Sequence, residues 1–184
     1  AREQAQEATI QGWLDRMANL ILDHELRTST GSSPARAAAR VQTLSALRSL
    51  DGARKGVVVQ FLHESGLIRR EDAVVALAGA DLTGADIGSL DLSDSDLSGA
   101  NLRGSDLYYA NFQNANLRGT NLETADLHQA NLHQADLRES ILRDALVTDE
   151  QLREAYTLEA ATMPDGSEMT EERWETFRGL SGIP

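Results

Sequence analysis

The sequence has no cysteine. Disulfides, thiolate nucleophiles, Cys-ligated zinc and iron–sulfur clusters are therefore excluded, and with them the disulfide-stapled class of small secreted domains. Aromatic residues make up only 4% of the chain, so a core must rest on Leu, Ile, Val and Ala, which suits thin, regular packing. No run approaches the roughly 18 to 20 consecutive apolar residues of a helical membrane span, and the N-terminus lacks the charged-then-apolar pattern of a signal peptide. The chain as given reads as soluble. It starts at Ala1 rather than Met, which suggests an excised or processed piece with something upstream. The four histidines, His24, His63, His128 and His133, form no H-E-x-x-H, no metal-ligand spacing and no triad with a nucleophile elbow. No catalytic residues, metal or cofactor are expected, and the chain reads as a non-enzyme.

What is present is ordinary in amount and unusual in order. Apolar residues are 41% and charged residues 25% of 184 positions, enough for one domain or two small ones. The net charge of −12 is uneven. Residues 1–74 carry ten basic and nine acidic groups, residues 75–145 four and eleven, and residues 146–184 three and nine. The two acidic stretches repel phosphates, so direct nucleic-acid binding is disfavoured.

A five-residue register begins at Leu77 and runs without insertion through Leu82, Ile87, Leu92, Leu97, Leu102, Leu107, Phe112, Leu117, Leu122, Leu127, Leu132, Leu137 and Leu142. Two places before each large residue, from Ala80 onwards, stands a small one, with Leu90 as the exception, and between them stands Asp or Asn from Asp81 to Asp136. A period of five fits neither the helix period of 3.6 nor the strand period of 2. A turn every five residues fits it.

The A-(D/N)-L-x-x pattern, as in Ala100-Asn101-Leu102 and Ala125-Asp126-Leu127, resembles the pentapeptide-repeat family. The resemblance implies a β-solenoid: a right-handed, four-sided β-helix with one coil per twenty residues, large residues filling the axis and small residues closing the corners. Burial of the axial side chains is opposed by ordering entropy of comparable size, so such a tube needs caps. Residues 59–68 and 160–166 also look like flanking segments of bacterial, notably cyanobacterial and actinobacterial, members. Some of those carry membrane spans before such a region, so a membrane tether upstream of Ala1 is kept as an expectation.

The caps are legible as helices. An apolar stripe of Ile10, Trp13, Leu14, Met17, Leu20 and Ile21 predicts one helix over 3–27. Ser33-Pro34 predicts an N-cap and first turn for a second helix reaching about Leu50. A third, through Val57, Val58, Phe61 and Leu62, is expected to end at Gly66. Downstream the register decays at Ile141 and Leu146, where Thr148-Asp149-Glu150-Gln151 reads as a capping box, Met163-Pro164-Asp165-Gly166 as a turn, and Thr170 onwards as a final helix. The expected organisation is a helical module over 1–72, a β-helix over 73–146 and a C-terminal helical cap over 147–184.

Positions twenty apart should stack. One face then carries Asp86, Asp106 and Asp126 in a column, with Tyr108 over His128 and Tyr109 over Gln129 beside it. Backbone donors and solvent are expected to absorb the carboxylate charge in preference to a cation, which would want six or more oxygen ligands in a concave site. Aromatics on a rigid surface are anchors, so this face is the candidate interaction site. The leading reading is a non-catalytic scaffold with a protein partner, cytoplasmic or the soluble part of a membrane-anchored protein. The resemblance also implies one alternative, a DNA mimic that inhibits or protects a type II topoisomerase (gyrase), and a purely structural alternative is a rigid spacer of a membrane-anchored protein.

Overall fold

The computed structural model describes residues 2–22, 26, 33–68 and 75–179. The end of the expected first helix, His24 and the expected boundary between residues 72 and 73 lie outside them.

Three helices come first: α1 (Arg2–Leu22), α2 (Pro34–Leu47) and α3 (Gly52–Glu64). They pack on one another through the apolar stripe of α1, where Trp13 meets Phe61 edge-on at 5.4 Å and its indole N–H donates to Thr43 Oγ1 at 3.1 Å. The Ser33 hydroxyl caps α2 by accepting the Ala35 N–H. A Gly66 with φ +69 ends α3, where the Leu67 and Gly66 N–H groups return to the Leu62 and His63 carbonyls, a Schellman motif that only a left-handed residue closes easily.

From Leu77 the chain winds in coils of twenty residues. Parallel bridges join Asp81 to Asn101, Asp86 to Asp106, Asp91 to Asn111 and Asp96 to Asn116, and each series continues into the next coil. Where a β-helix leads one to expect strands, none forms among the described residues; pairing is by isolated bridges. Four of every five residues are taken up by a turn closed from the small residue back to the preceding large one, as in Ala100 N–H to Leu97 O, which leaves one extended residue per side.

The main-chain hydrogen bonds explain the sequence pattern. Counting from the large residue Leu102, the Asn101 N–H goes to the preceding coil, the Leu102 and Gly104 N–H groups to the following one, and the Ser105 N–H closes the turn. Only the Arg103 N–H is left, and the Asn101 side-chain oxygen accepts it at 3.2 Å. The same bond recurs from Asp81, Asp91, Asp96, Asp106, Asn111, Asn116, Asn121, Asp126, Asn131 and Asp136. Asp or Asn thus supplies a carbonyl-type oxygen to the one main-chain donor the coils leave over, and the charge is free to vary; Ile141 holds the same repeat position without such an oxygen, and its bridges to Asn121 and Thr162 still form. Where the small residue carries a hydroxyl, at Ser95, Ser105, Thr120 and Ser140, it is buried and donates back to the preceding turn.

The register does not end at Leu146, as the sequence suggested. The short helix α4 (Asp149–Arg153), opened by the expected Thr148–Gln151 capping box, replaces one side of the coil and still points Leu152 inward. The bridges then resume at twenty-one residues, Asp136 to Thr157 and Ile141 to Thr162. Tyr156 and Thr157 together fill one repeat position: the Tyr156 N–H reaches the Ala135 carbonyl while the Thr157 carbonyl accepts the Leu137 N–H. This one-residue bulge hides the repeat from a fixed period of five. Leu158, Ala161 and Met163 continue the core. The chain then reverses at Pro164-Asp165-Gly166 and lays 167–169 antiparallel on the last coil, before α5 (Glu171–Phe177) buries Trp174.

At the other end α3 lies directly on the first coil. The Gly52 carbonyl accepts the Asp86 N–H at 3.0 Å. A Cβ on Gly52 would stand 1.9 Å from the Gly84 carbonyl oxygen, and one on Gly56 2.0 Å from that of Asp86. Two glycines four apart on one helix face are what permit this contact. Lys55, 4% exposed, reaches from the same helix to Asp81 at 3.2 Å and the Thr83 carbonyl at 3.0 Å.

Candidate functional site

The column of Asp86, Asp106 and Asp126 is built by the parallel bridges, and Leu146 extends it below. Beside it the turns stack: the Ser89 N–H donates to Tyr108 O and the Tyr109 N–H to His128 O. The face predicted from spacing is thus assembled, with Tyr108, Tyr109, His128 and Gln129 exposed along it.

Its electrostatics differ from those of the other three columns. Elsewhere the carboxylates have partners: Asp81 has Lys55, Asp91 and Asp96 accept the side-chain amides of Asn111 and Asn116 from the next coil, and Asp136 has Arg138. This column contains no amide and no arginine. Among the described residues Asp86 and Asp106 have no ion-pair partner, and Asp126 has only His128, whose Nδ1 lies 2.8 Å away. The main-chain and side-chain hydrogen bonds from His128 hold the Asp126 carboxyl below the ordinary range against slight burial. Among the described residues no group of three or more His, Asp or Glu is arranged to hold a metal.

Tyr108 and Tyr109 meet edge to face with centroids 4.4 Å apart, 44% and 54% exposed. The Tyr109 phenol, and to a smaller degree the Asp126 carboxylate, pushes the Tyr108 pKa up. Tyr109 occupies the left-handed turn position with φ +60. The equivalent residues are Gly79, Gly84, Gly99, Gly104 and Gly119 in five turns and Ser89, Asp94, Asn114, Thr124, Gln129, Gln134, Glu139 and Asp144 in the others; a side chain at this place costs about 1 to 2 kcal/mol in backbone strain.

The sequence did not reveal how the face ends above. Asp86 sits at the seam with α3, where Ala53, Gly56, Val57, Gln60, Asp86, Gly88 and Leu90 line a shallow groove of about 240 Å³. Gly88 occupies the place above Tyr108, and a Cβ there would stand 3.2 Å from an Asp106 carboxylate oxygen and 3.1 Å from the Tyr108 carbonyl. Leu90, the one large residue among the small ones, faces this groove; no period in the sequence connects it to a helix thirty residues upstream. The arginines lie on other faces, paired as Arg103 with Glu123 and Arg118 with Glu139.

Residues 77–108 and 105–144 match the family model described as pentapeptide repeats, in eight copies. No curated protein matches the chain. Among solved structures it is similar to the pentapeptide repeat protein Rfr23 from the cyanobacterium Cyanothece 51142, at 37% identity over 47% of this chain and 55% of that one, with a TM-score of 0.39. It is also similar to HetL from the cyanobacterium Nostoc sp. strain PCC 7120, at 36% identity over 52% and 43% with a TM-score of 0.27, and to alr5209 from Nostoc PCC 7120, at 35% identity over 58% and 74% with a TM-score of 0.32. The chain spans about half the length of the first two. None of these matches is to an enzyme, and no helix among the described residues is long and apolar enough to cross a membrane.

Proposed function

Because the chain belongs to the pentapeptide-repeat family, we propose that its coils form a right-handed, four-sided β-helix serving as a non-catalytic scaffold that docks a protein partner on the Tyr108–Tyr109 face. One observation carries this reading. Two large aromatic rings, Tyr108 and Tyr109, stand half exposed and edge to face on a rigid turn, where the other turns carry glycine or smaller and polar residues at the left-handed place of Tyr109. A rigid aromatic pair loses little entropy on binding and is a common anchor. The arginines interspersed among the acids, of which Arg103, Arg118 and Arg138 are bound to carboxylates, break up the negative surface and favour docking over imitation of duplex DNA.

The test is affinity capture from a bacterial lysate with the parent and a Tyr108→Ala/Tyr109→Gly variant. Glycine at 109 relieves the left-handed strain and offsets the loss of the ring pair, so the variant is expected to unfold within about 1 kcal/mol of the parent. Loss of a specific partner at unchanged stability is the expected result. Capture unaffected by both changes would remove this face as the docking site.

A further inference from the structure

We infer that the occupant of this face is a cationic, arginine-bearing segment of the partner, in extended conformation, lying along the Asp86–Asp106–Asp126 column against the two tyrosines. This deepens the scaffold reading and rests on it. The case is charge complementarity. In each of the other three columns the carboxylates are met by Lys55, by Arg138 or by an amide from the next coil. Here three carboxylates stand one coil apart, about 4.8 Å each, with His128 as their single ion-pair partner among the described residues. Bridged residues on successive coils cannot relieve one another, because no member of the column is a donor. The turn bond needs only a carbonyl-type oxygen, as Asn101, Asn111 and Asn121 show at the same repeat position. The fold therefore does not require negative charge at any of the three places.

The dimensions fit. Alternate residues of an extended chain project from one side about 6.8 Å apart, so two arginines separated by one residue fall within the roughly 10 Å spanned by the three carboxylates. A planar guanidinium pairs with a carboxylate through two parallel bonds and also lies over an aromatic face. Tyr108 and Tyr109 flank the column at its middle coil. Gly88 leaves the surface without a side chain immediately above Tyr108, so a segment running up the column passes into the groove under α3.

The probe is a fluorescein-labelled nonapeptide with arginine at alternate positions and serine between, compared with the same peptide carrying citrulline, which keeps the shape and removes the charge. Binding to the whole chain is followed by anisotropy. Asp106→Asn/Asp126→Asn keeps both turn bonds, and the citrulline arm depends on no variant. Glu172→Gln/Glu175→Gln removes the same charge from α5, away from the face. The expected result is that citrulline, the asparagine pair and Tyr108→Ala/Tyr109→Gly each weaken binding about tenfold or more, equivalent to about 1.4 kcal/mol, while the α5 pair stays within about twofold. Equal weakening by the α5 pair would show general attraction to an acidic chain and overturn the inference, as would indifference between arginine and citrulline. If the peptide fails while tyrosine-dependent partner capture persists, the cationic occupant falls and the scaffold stands; if capture fails too, both fall.

Discussion

At the scale of the residue, the repeat separates two properties that Asp usually combines. Its oxygen satisfies the one main-chain donor left in the turn; its charge is optional, and where the charge is kept the surroundings set its titration. Asp136 is held below the ordinary carboxylate range chiefly by Arg138, against the opposing effect of burial. At Asp81 burial is the largest influence and acts upward, but the hydroxyl and main-chain N–H of Thr83 with Lys55 outweigh it and leave the pKa lowered. A carboxyl whose folded pKa is depressed contributes stability that is complete above its unfolded value, near 3.8, and is lost as pH falls through the folded value. Urea unfolding of the parent should therefore be flat from pH 7 to about 5 and weaken below about 4. The stability difference between the parent and Asp136→Asn should be positive at pH 7 and shrink toward zero in acid. A difference that grew in acid would contradict the assignment. The Asp or Asn at each repeat was legible in the sequence, and so was the stacking of Tyr108 over His128. Which carboxylates would find partners was not, because Lys55 comes from another element and Arg138 bonds its own turn.

At the scale of the element, the least expected feature is the seat of α3. The helix begins at Gly52 and carries Gly56 one turn in, where glycine lowers helix stability by about 1 kcal/mol relative to alanine. Their reason lies in the first coil, whose carbonyl oxygens at Gly84 and Asp86 occupy the space a methyl group would need. Gly56→Ala sets a propensity gain of about 1 kcal/mol against overpacking on rigid backbone, which costs about 1 to 3 kcal/mol, and the oxygen cannot move without breaking the coil. The expected outcome is a net loss of stability with loosening of α3, read by urea unfolding and by faster hydrogen exchange at the Asp86 amide. An unchanged exchange rate would show that the contact does not hold the helix. The capped starts of α2, α4 and α5 were legible because a Ser or Thr before the first turn is a local arrangement. The bulge at Tyr156-Thr157 was not, because a single inserted residue is invisible until the coil above shows which carbonyls must be met.

At the scale of the whole molecule, the coils form a stack with two open ends, each offering unpaired main-chain groups to another copy. The helical module covers the upper end. The return of 167–169 covers the lower one, where the Ala160 and Met169 N–H groups bond Met169 O and Ala161 O across the reversal. Truncation after Met163 exposes that edge and uncovers the surface beneath Trp174, so it should produce concentration-dependent association in sedimentation velocity beyond any shown by the parent. Identical sedimentation of both forms would assign the return no protective role. The sequence by itself determined the repeat, the inward residues, the turn chemistry and the alignment of the candidate face, because each follows from bonds between residues five or twenty apart at constant spacing. Only the tertiary structure decided where the coil ends, that Leu152 in a helix substitutes for a repeat, that α3 needs two glycines, and that one column of four keeps its carboxylates without arginine or amide. Those features depend on contacts between segments whose separation in the chain has no period, so no local pattern records them.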